Sequence, residues 1–206
     1  MTIRHVVFDI GRVLVHWDPE ILYRRLIADD AERARFLAEI CTMAWNHEQD
    51  RGRSWADAEA ELIVRHPEHE TLVRAYRLHW WEMVPHSYPD SIAIYRELIA
   101  GGTDVTLLTN WAKDTFAEAE KVFEFLGEAR GVTVSGRIGL VKPDVEIFRH
   151  HAASFALDPA ATLFIDDSPR NVEGARAAGW HSVLFTDAAQ LRRDLRRHGL
   201  PVADAG

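Results

Sequence analysis

The chain has 206 residues, of which 47% are hydrophobic and 27% charged, a composition typical of a folded globular protein rather than a disordered one. Its formal net charge of −8 argues against nucleic acid as a partner, because binding to a phosphate backbone requires clustered Lys and Arg. No apolar run approaches the roughly 20 residues that span a bilayer, and the single cysteine excludes an internal disulfide. We therefore predict a cytoplasmic monomer or homodimer without a membrane or nucleic-acid partner, folded as one main domain with an insertion.

The chain opens with a strand that is followed by a long helical stretch. Residues 6–8 form a short apolar run without alternation, typical of a strand buried on both faces, and the run stops at Asp9. From there to about residue 88 the sequence carries only helix signals, beginning with Asp18 as a cap before Pro19. The further helices predicted in this stretch span residues 31–40 with Asp30 as cap, 58–64 after Ser54, and 67–84.

After residue 88, apolar runs and helical patterns alternate. The predicted strands cover residues 105–108, 132–134, 162–165 and 182–185, and the predicted helices cover 89–100, 114–126, 143–155, 171–178 and 188–197. Such alternation predicts an α/β fold with a doubly wound, five-stranded parallel sheet and helices on both faces. We expect a Rossmann-like core from residues 1–14 and 89–206, with an all-helical cap at residues 15–88 inserted after the first strand.

Polar residues follow three of the predicted strands. Asp9 ends the first strand, Thr109 and Asn110 end the second, and Asp166 with Asp167 ends the fourth. Because ligands bind outside the carboxyl ends of strands in an open parallel sheet, we expect these side chains to converge at one edge. Converging carboxylates repel each other unless a cation lies between them, and hard carboxylate oxygens suit Mg²⁺.

A lysine precedes the helix that leads into the fourth strand. Lys142 stands directly before Pro143, whose ring favours the start of a helix and leaves the lysine in the preceding turn. Beside a cluster of carboxylates and a metal, a lysine is a natural ligand for phosphate, since it acts as a point charge. Taken alone, Lys142 favours the simpler interpretation of a solvated lysine at a helix start.

Together these segments resemble the four motifs of the haloacid-dehalogenase-like (HAD) superfamily along nearly the whole chain. The motifs are FDIGRVLV at residues 8–15, LLTN at 107–110, LVKPDVEIF at 140–148 and FIDDSPRNVEGARAAG at 164–179. The resemblance implies a Rossmann-like core with a helical cap. It also implies a hydrolase that cleaves a phosphomonoester of a small phosphorylated metabolite with the help of Mg²⁺.

The resemblance also implies roles for individual residues. Asp9 would attack phosphorus and form an aspartyl-phosphate, which divides one difficult displacement into two easier ones. The implied metal ligands are Asp9, Asp166, Asp167 and the backbone carbonyl of Gly11, and the implied phosphate-binding residues are Thr109, Asn110, Lys142 and Gly11. Thr109 and Lys142 would stabilise the transition state together with Mg²⁺.

One position departs from the pattern of most phosphatases in the superfamily. They carry a second aspartate two residues after the nucleophile as general acid and base, where this chain has Gly11. The FD-x-G pattern is similar to a branch that includes sugar-1-phosphate phosphatases, which favours a sugar phosphate as substrate. Either the leaving group needs little protonation, or another residue supplies the proton. The candidates for that residue are His16, Asp18 and His47.

Two other functions remain open from the sequence. Haloacid dehalogenases also lack the second aspartate, but they work without metal and usually carry small uncharged residues where this chain has Asp166 and Asp167. A HAD-like protein without catalysis, which binds a metabolite or partner, would also be compatible with Gly11.

Two further groups of residues have both a functional and a non-functional interpretation. Residues 46–52 predict a loop between cap helices, in which His47 and Arg51 either contact the substrate or are solvated. The histidines at 66, 69, 150 and 151 are expected at the surface, because no third residue stands at the spacing that a zinc site requires.

Overall fold

The computed structural model describes residues 2–203, and its centre is a parallel sheet that confirms the predicted fold class. The strands are β1 (His5–Phe8), β2 (Asp104–Thr109), β3 (Val132–Val134), β4 (Thr162–Asp166) and β5 (His181–Leu184). They are hydrogen-bonded in the order β3-β2-β1-β4-β5, and every neighbouring pair is parallel. The chain thus runs outward from β1 to one side and then returns to build the other side.

The register of the sheet brings the ends of three strands together. Phe8 of β1 pairs with Leu107 of β2 on one side and with Ile165 of β4 on the other. The backbone N–H of Asp9 donates to the carbonyl of Ile165 at 2.9 Å, which continues the ladder one residue beyond β1. The residues that follow these strands therefore meet at the point where the strand order reverses, the usual ligand site of such sheets.

Burial on both faces explains why the strand sequences do not alternate. In β1, Val6 and Phe8 pack in one hydrophobic cluster, while Val7 packs in a second cluster with Leu108 and Phe164. All three β1 residues have no exposed surface. Each such side chain contributes about 1.5–3 kcal/mol of burial energy, so the helices must cover both faces.

The segment between β1 and the next long helix is entirely helical in regular structure. Its α-helices are α1 (Pro19–Leu26), α2 (Asp30–Glu39), α3 (Met43–Asp50), α4 (Trp55–Arg65) and α5 (Glu70–Leu78), with 3₁₀ turns at Pro67–His69 and Trp80–Met83. We call residues 19–83 the helical insertion. Its interior is aromatic: the rings of Trp45 and Tyr76 meet edge to face at 5.2 Å, and those of Trp55 and Trp80 at 5.7 Å.

Three details of the insertion differ from the sequence prediction. Residues 46–50, expected in a loop, belong to α3, because Thr42 caps this helix by accepting from the Trp45 backbone N–H at 3.0 Å. The helix expected over 67–84 is broken into a 3₁₀ turn, α5 and a second 3₁₀ turn. Asp29 rather than Asp30 caps α2, since its carboxylate accepts from the Glu32 N–H at 2.7 Å.

The remaining helices cover the sheet. They are α6 (Pro89–Ala100), α7 (Lys113–Val122), α8 (Ser135–Ile138), α9 (Val145–Phe155), α10 (Pro169–Ala177) and α11 (Ala188–Arg197). The short α8 was not predicted, and α9 begins two residues after the expected start at Pro143. Within residues 2–203, no helix is long and apolar enough to cross a membrane.

Candidate active site

A cleft of about 610 Å³ opens between the carboxyl edge of the sheet and the helical insertion. The sheet side is formed by the segments that follow β1, β2 and β4 and by the turn before α9, with Asp9, Asn110, Lys142 and Asp167 among the lining residues. The insertion contributes residues of α3 and the ring of Trp80. Four of the seven residues predicted for the site therefore line one cleft with their side chains, and Gly11 lines it as well.

Three carboxylates lie together on the sheet side. Asp9, Asp166 and Asp167 each offer an oxygen, and these atoms all lie within 4.8 Å of one another. Asp9 is 7% exposed and Asp166 is fully buried, whereas Asp167 is half-buried. Three negative charges in so small a volume need positive charge close by, because water is largely excluded.

The ammonium of Lys142 supplies part of that charge. Its Nζ lies 2.7 Å from Asp9 Oδ1 and 2.7 Å from Asp166 Oδ2, and it donates to the Leu108 carbonyl at 3.2 Å. The side chain is 1% exposed, so the lysine is buried in the site rather than solvated. Of the two readings left open by the sequence, the buried location favours a functional lysine.

Asn110 fixes the backbone of Lys142. Its side-chain amide donates to the Lys142 carbonyl at 2.9 Å, and its side-chain oxygen accepts from the Lys142 N–H at 2.9 Å. This paired contact links the end of β2 to the turn before α9 across 32 residues of sequence. The side chain of Asn110 therefore positions the lysine.

Asp166 is held by several donors at once. Its Oδ1 accepts from the Ser168 N–H at 2.8 Å and from Asn171 Nδ2 at 3.0 Å, while Oδ2 accepts from Lys142 at 2.7 Å. The carboxylate is fully buried and is not among the described residues that line the cleft. Its contacts are those of a residue that orients Lys142, whereas Asp9 and Asp167 face the cleft.

Burial and like charge weaken the acidity of the two carboxylates that face the cleft. Burial raises the pKa of Asp9 to about 7, against the opposing effect of Lys142 and with a further increase from Asp166. Burial also raises the pKa of Asp167, and the Asp166 carboxylate adds to the effect. Burial alone would lower the pKa of Lys142, but the charges of Asp166 and Asp9 outweigh it and raise the pKa.

The set of donors fits a divalent magnesium ion. Three carboxylates face one ammonium, which leaves a negative site with hard oxygen ligands. Asp9, Asp167 and the backbone of Gly11 all border the cleft, where an ion would also meet a substrate oxygen. A cation there would offset the repulsion that raises the pKa of Asp9 and Asp167.

Thr109, like Asp166, is a predicted site residue that lies outside the described lining of the cleft. It ends β2, pairs with Val134 of β3 and is 1% exposed, and it is not among the described residues that line the cleft. Its assignment to phosphate binding stays a prediction.

The three candidates for a proton donor lie in different places. His16 lies outside the described cleft lining; its Nδ1 is 2.7 Å from the Tyr88 hydroxyl, and its ring stacks on His86 at 4.9 Å. Asp18 caps α1 by accepting from the Glu20 N–H at 3.0 Å. His47 alone of the three lines the cleft, where burial, followed by the nearby Arg51, lowers its pKa.

Sequence reasoning missed a buried acidic residue at the cleft. Asp50, the last residue of α3, lines the cleft and is only 7% exposed. Burial raises its pKa to about 7, although Lys142 and the Ala112 N–H act in the opposite direction. A signal was present, because a negative charge in the last turn of a helix opposes the helix dipole. Without a predicted α3, that signal could not be recognised.

Comparison with known proteins places the chain in a family. A model of the haloacid dehalogenase-like hydrolases matches residues 3–179. A sesquiterpene phosphatase of Aspergillus oryzae is 25% identical over 199 residues, covering 95% of this chain and 96% of the relative. A phosphoglycolate phosphatase of Cereibacter sphaeroides is 28% identical over 203 residues, covering 95% and 91%.

A solved structure shares the fold. A HAD family enzyme of Bacteroides thetaiotaomicron, in complex with magnesium and inorganic phosphate, superposes with a TM-score of 0.65 at 20% identity. The match covers 92% of this chain and 98% of that one. From the family match, the sheet order and the arrangement of the site, we conclude that the chain belongs to the haloacid dehalogenase-like hydrolases.

Proposed function

We propose that the protein is a Mg²⁺-dependent phosphomonoester hydrolase that forms an aspartyl-phosphate on Asp9. The single observation that carries this proposal is the position of the Lys142 ammonium, 2.7 Å from Asp9 in a cluster with two further carboxylates. A buried cation beside a nucleophilic carboxylate is suited to a dianionic phosphoryl group. The phosphatase names of two relatives that extend over nearly the whole chain support the same reaction.

In this mechanism the residues at the sheet edge have separate roles. Asp9 attacks phosphorus, and the leaving group departs on the opposite side. As the negative charge of Asp9 passes into the new bond, the N–H that Lys142 donates to Asp9 becomes available to a phosphoryl oxygen. Water then attacks phosphorus, releases inorganic phosphate and regenerates Asp9. Mg²⁺, held by Asp9, Asp167 and the Gly11 carbonyl, would neutralise charge on the phosphoryl group.

We further propose that Asp166 acts on the metal indirectly. Its oxygens are already occupied by Lys142, Ser168 and Asn171 at 2.7–3.1 Å. A direct bond to the ion would displace one of these partners. Asp166 would instead keep these partners, hold Lys142 in place and bind the metal through a water molecule.

Residues 15–88 would form a cap over a core made of residues 1–14 and 89–206. In support, α3 lies at the cleft, and Arg51 directly after it donates to Asp144 on the sheet side at 3.0 Å. Such a cap excludes water from the reaction and selects the substrate.

The cleft supports a small phosphorylated metabolite, and we favour a sugar phosphate. The rings of Trp17, Trp80 and Trp111 can stack on the apolar face of a sugar, while Asn46 and His47 offer hydrogen bonds to hydroxyl groups. The same aromatic lining would also accept an apolar phosphate ester, and a sesquiterpene phosphatase is among the relatives. The two substrate classes differ in polarity, so one screen can distinguish them.

The experiment is a screen of sugar, carboxylic-acid and isoprenoid phosphates, together with p-nitrophenyl phosphate, with Mg²⁺ and with EDTA. We expect phosphate release that requires Mg²⁺ and falls by at least about 10³-fold in Asp9→Asn, because an amide cannot act as the nucleophile. Glu68→Gln removes one negative charge, as Asp9→Asn does, but at an exposed side chain, and it should retain activity. Full activity in EDTA would contradict the proposal, and absence of all turnover would favour a binding protein.

The dehalogenase alternative is weaker at this site. A haloacid is an anion, and at the sheet edge it would lie beside Asp9 and Asp167, where Lys142 is already paired with two carboxylates. Arg12, Arg51 and Arg170 also line the cleft and would offset part of this repulsion. Release of halide from 2-chloropropionate in EDTA would support this alternative, and the phosphatase proposal expects none.

A further inference from the structure

We propose that Asp50 is the general acid and base of the reaction, taking from the helical insertion the role that Gly11 lacks the side chain to perform. The inference rests on the proposed phosphatase function. It assigns Asp50 two steps: donation of a proton to the leaving oxygen, and removal of a proton from the water that attacks the aspartyl-phosphate.

The location of Asp50 is the first argument. In-line displacement at phosphorus places the leaving oxygen on the side opposite the nucleophile. Asp9 belongs to the sheet side of the cleft, so the leaving oxygen faces the wall formed by the insertion. Asp50 lies in that wall, at the end of α3, and borders the cleft although 93% of its surface is buried in a water-poor environment.

The surroundings of Asp50 are the second argument. From the sheet side it faces Lys142 and the backbone N–H of Ala112; from its own helix Asn46 Nδ2 approaches at a long 3.4 Å, and Tyr76 of α5 donates to Asn46 at 3.1 Å. None of these contacts is a close ion pair like those that Lys142 makes with Asp9 and Asp166. Burial therefore dominates and raises the pKa of Asp50 to about 7, close to the optimum for proton transfer at neutral pH.

The proton balance is complete without another group. In the first step the Asp50 carboxyl gives its proton to the leaving oxygen as the bond from phosphorus to that oxygen breaks, and the product departs as an alcohol. Asp50 is then a carboxylate. In the second step it takes a proton from water as the water oxygen attacks phosphorus. The bond from phosphorus to the Asp9 oxygen breaks, so phosphate leaves, Asp9 is a carboxylate again and Asp50 is protonated again.

The competing candidates fit the role less well. Asp18 is occupied as a helix cap, and His16 lies outside the described lining of the cleft. His47 lines the cleft, but burial lowers its pKa, which disfavours the protonated form that a general acid needs. A different explanation for Asp50 is structural: its carboxylate could fasten α3 to the N–H of Ala112 before α7.

The dependence of kcat/KM on leaving-group pKa in Asp50→Asn distinguishes proton transfer by Asp50 from a structural role in which Asp50 holds α3 to the Ala112 N–H. The amide keeps an acceptor for the Ala112 N–H but cannot titrate. The quantity to measure is kcat/KM with Mg²⁺ for p-nitrophenyl, phenyl and alkyl phosphates, since it reports the steps up to formation of the aspartyl-phosphate. We expect a shallow dependence on leaving-group pKa in the wild type. In Asp50→Asn we expect a loss of about 10²–10⁴-fold on alkyl phosphates and a loss below about tenfold on p-nitrophenyl phosphate.

The pH profile and two control variants complete the test. For alkyl phosphates, wild-type kcat/KM should fall as pH rises above about 7, because Asp50 loses its proton, and this fall should be absent in Asp50→Asn. Glu48→Gln, which also removes one negative charge but at an exposed side chain of α3, should behave as wild type. In His47→Gln the rates can change through substrate binding, but the fall of kcat/KM above about pH 7 should persist. If Asp50→Asn does not fold by circular dichroism, Asp50→Glu, which retains a carboxyl group, carries the pH test.

Three results would overturn the proposal. An equal loss on all substrates in Asp50→Asn would identify a structural fastening, and an unchanged leaving-group slope would leave the proton to another residue. A steep slope already present in the wild type would show that no acid acts. Each of these requires an active wild-type enzyme, so failure of the phosphatase function itself would be recognised separately, by absence of wild-type turnover.

Discussion

Gly11 occupies the position at which a second aspartate stands in most phosphatases of the superfamily, and the structure has room for a side chain there. A Cβ built on Gly11 meets no atom of the described residues within 4 Å, and its backbone is not in the left-handed region that favours glycine. The neighbouring Arg12, in contrast, has a φ of 58°. The glycine is therefore not required by the local backbone conformation.

This space permits a rescue experiment. We predict that Gly11→Asp alone changes the rates little, since Asp50 already supplies the proton. In the Asp50→Asn background, Gly11→Asp should restore activity toward alkyl phosphates by at least about tenfold, because it returns a carboxylic acid near the leaving oxygen. Gly11→Asn is the matched control and should restore nothing. Equal rescue by both variants would show that shape rather than proton transfer limits the reaction.

At the scale of the single element, the strands were predicted better than the helices. Each predicted strand agrees with the structure to within one residue at either end, since burial on both faces imposes an apolar run that is visible locally. Asp9, Asp166, Asp167 and Lys142 could also be predicted from the local sequence. The three aspartates follow strands, and Lys142 stands in a recognisable motif. Helix α3 could not, since its buried face is partly polar, with Asn46, Gln49 and Asp50.

What makes α3 functional is contact with residues far away in sequence. Asp50 gains its unusual surroundings from Lys142 and Ala112, which lie more than 60 positions later. Arg51 pairs with Asp144 at 3.0 Å, a separation of 93 residues. No local pattern encodes such contacts, so the proposed role of Asp50 could be inferred only from the folded chain.

Helix α9 carries a histidine that sequence reasoning placed at the surface and that the structure buries. His151 has no exposed surface, and its ring nitrogens lie 2.9 Å from Thr106 Oγ1 and 2.7 Å from Thr133 Oγ1. Burial, with a smaller effect from His150, lowers its pKa to about 3. The neutral ring thus ties α9 to β2 and β3 by hydrogen bonds.

This histidine predicts acid sensitivity of the fold. The unfolded chain takes up a proton on His151 near pH 6.5, whereas the folded chain resists it until about pH 3, so stability falls as pH drops through this range. Between pH 6.5 and 4.5 we expect a loss of about 2 kcal/mol from this residue. Urea unfolding at both pH values should show that His151→Asn lacks this loss: from pH 6.5 to 4.5 its free energy of unfolding should change by about 2 kcal/mol more in favour of the folded state than that of the wild type. The comparison of variants is needed because Asp9 and Asp50, with raised pKa values, act in the opposite sense. An identical pH dependence in the variant would contradict the assignment.

At the scale of the whole molecule, the insertion and the sheet enclose the cleft through several contacts. Arg77 and Trp81 of the insertion both donate to Glu118 of α7, at 2.5 and 3.0 Å, and the rings of Trp80 and Trp111 lie 6.4 Å apart. The surfaces that meet are mixed, with a partly buried ion pair beside aromatic rings.

The cluster of carboxylates should couple metal binding to the stability of the whole chain. We predict that Mg²⁺ raises the melting temperature in a concentration-dependent manner, with a gain of about 2.7 kcal/mol at 100 times the dissociation constant. Asp167→Asn should reduce this gain, because it removes a carboxylate that faces the cleft. Glu68→Gln should retain the full gain. A melting temperature independent of Mg²⁺ in the wild type would contradict the proposed metal site without reference to activity.

Asp9 accepts the phosphoryl group in the proposed mechanism, and trapping of this aspartyl-phosphate would test the mechanism at its first step. The protein would be mixed with ³²P-labelled acetyl phosphate and Mg²⁺, quenched in acid, reduced with borohydride and digested for peptide mapping. We expect ³²P label in the quenched protein, and reduction of Asp9 to homoserine in the peptide that contains it. Both should be absent in EDTA and in Asp9→Asn. Label on another residue, or Mg²⁺-dependent turnover in which rapid quenching at several times never finds Asp9 modified, would contradict it.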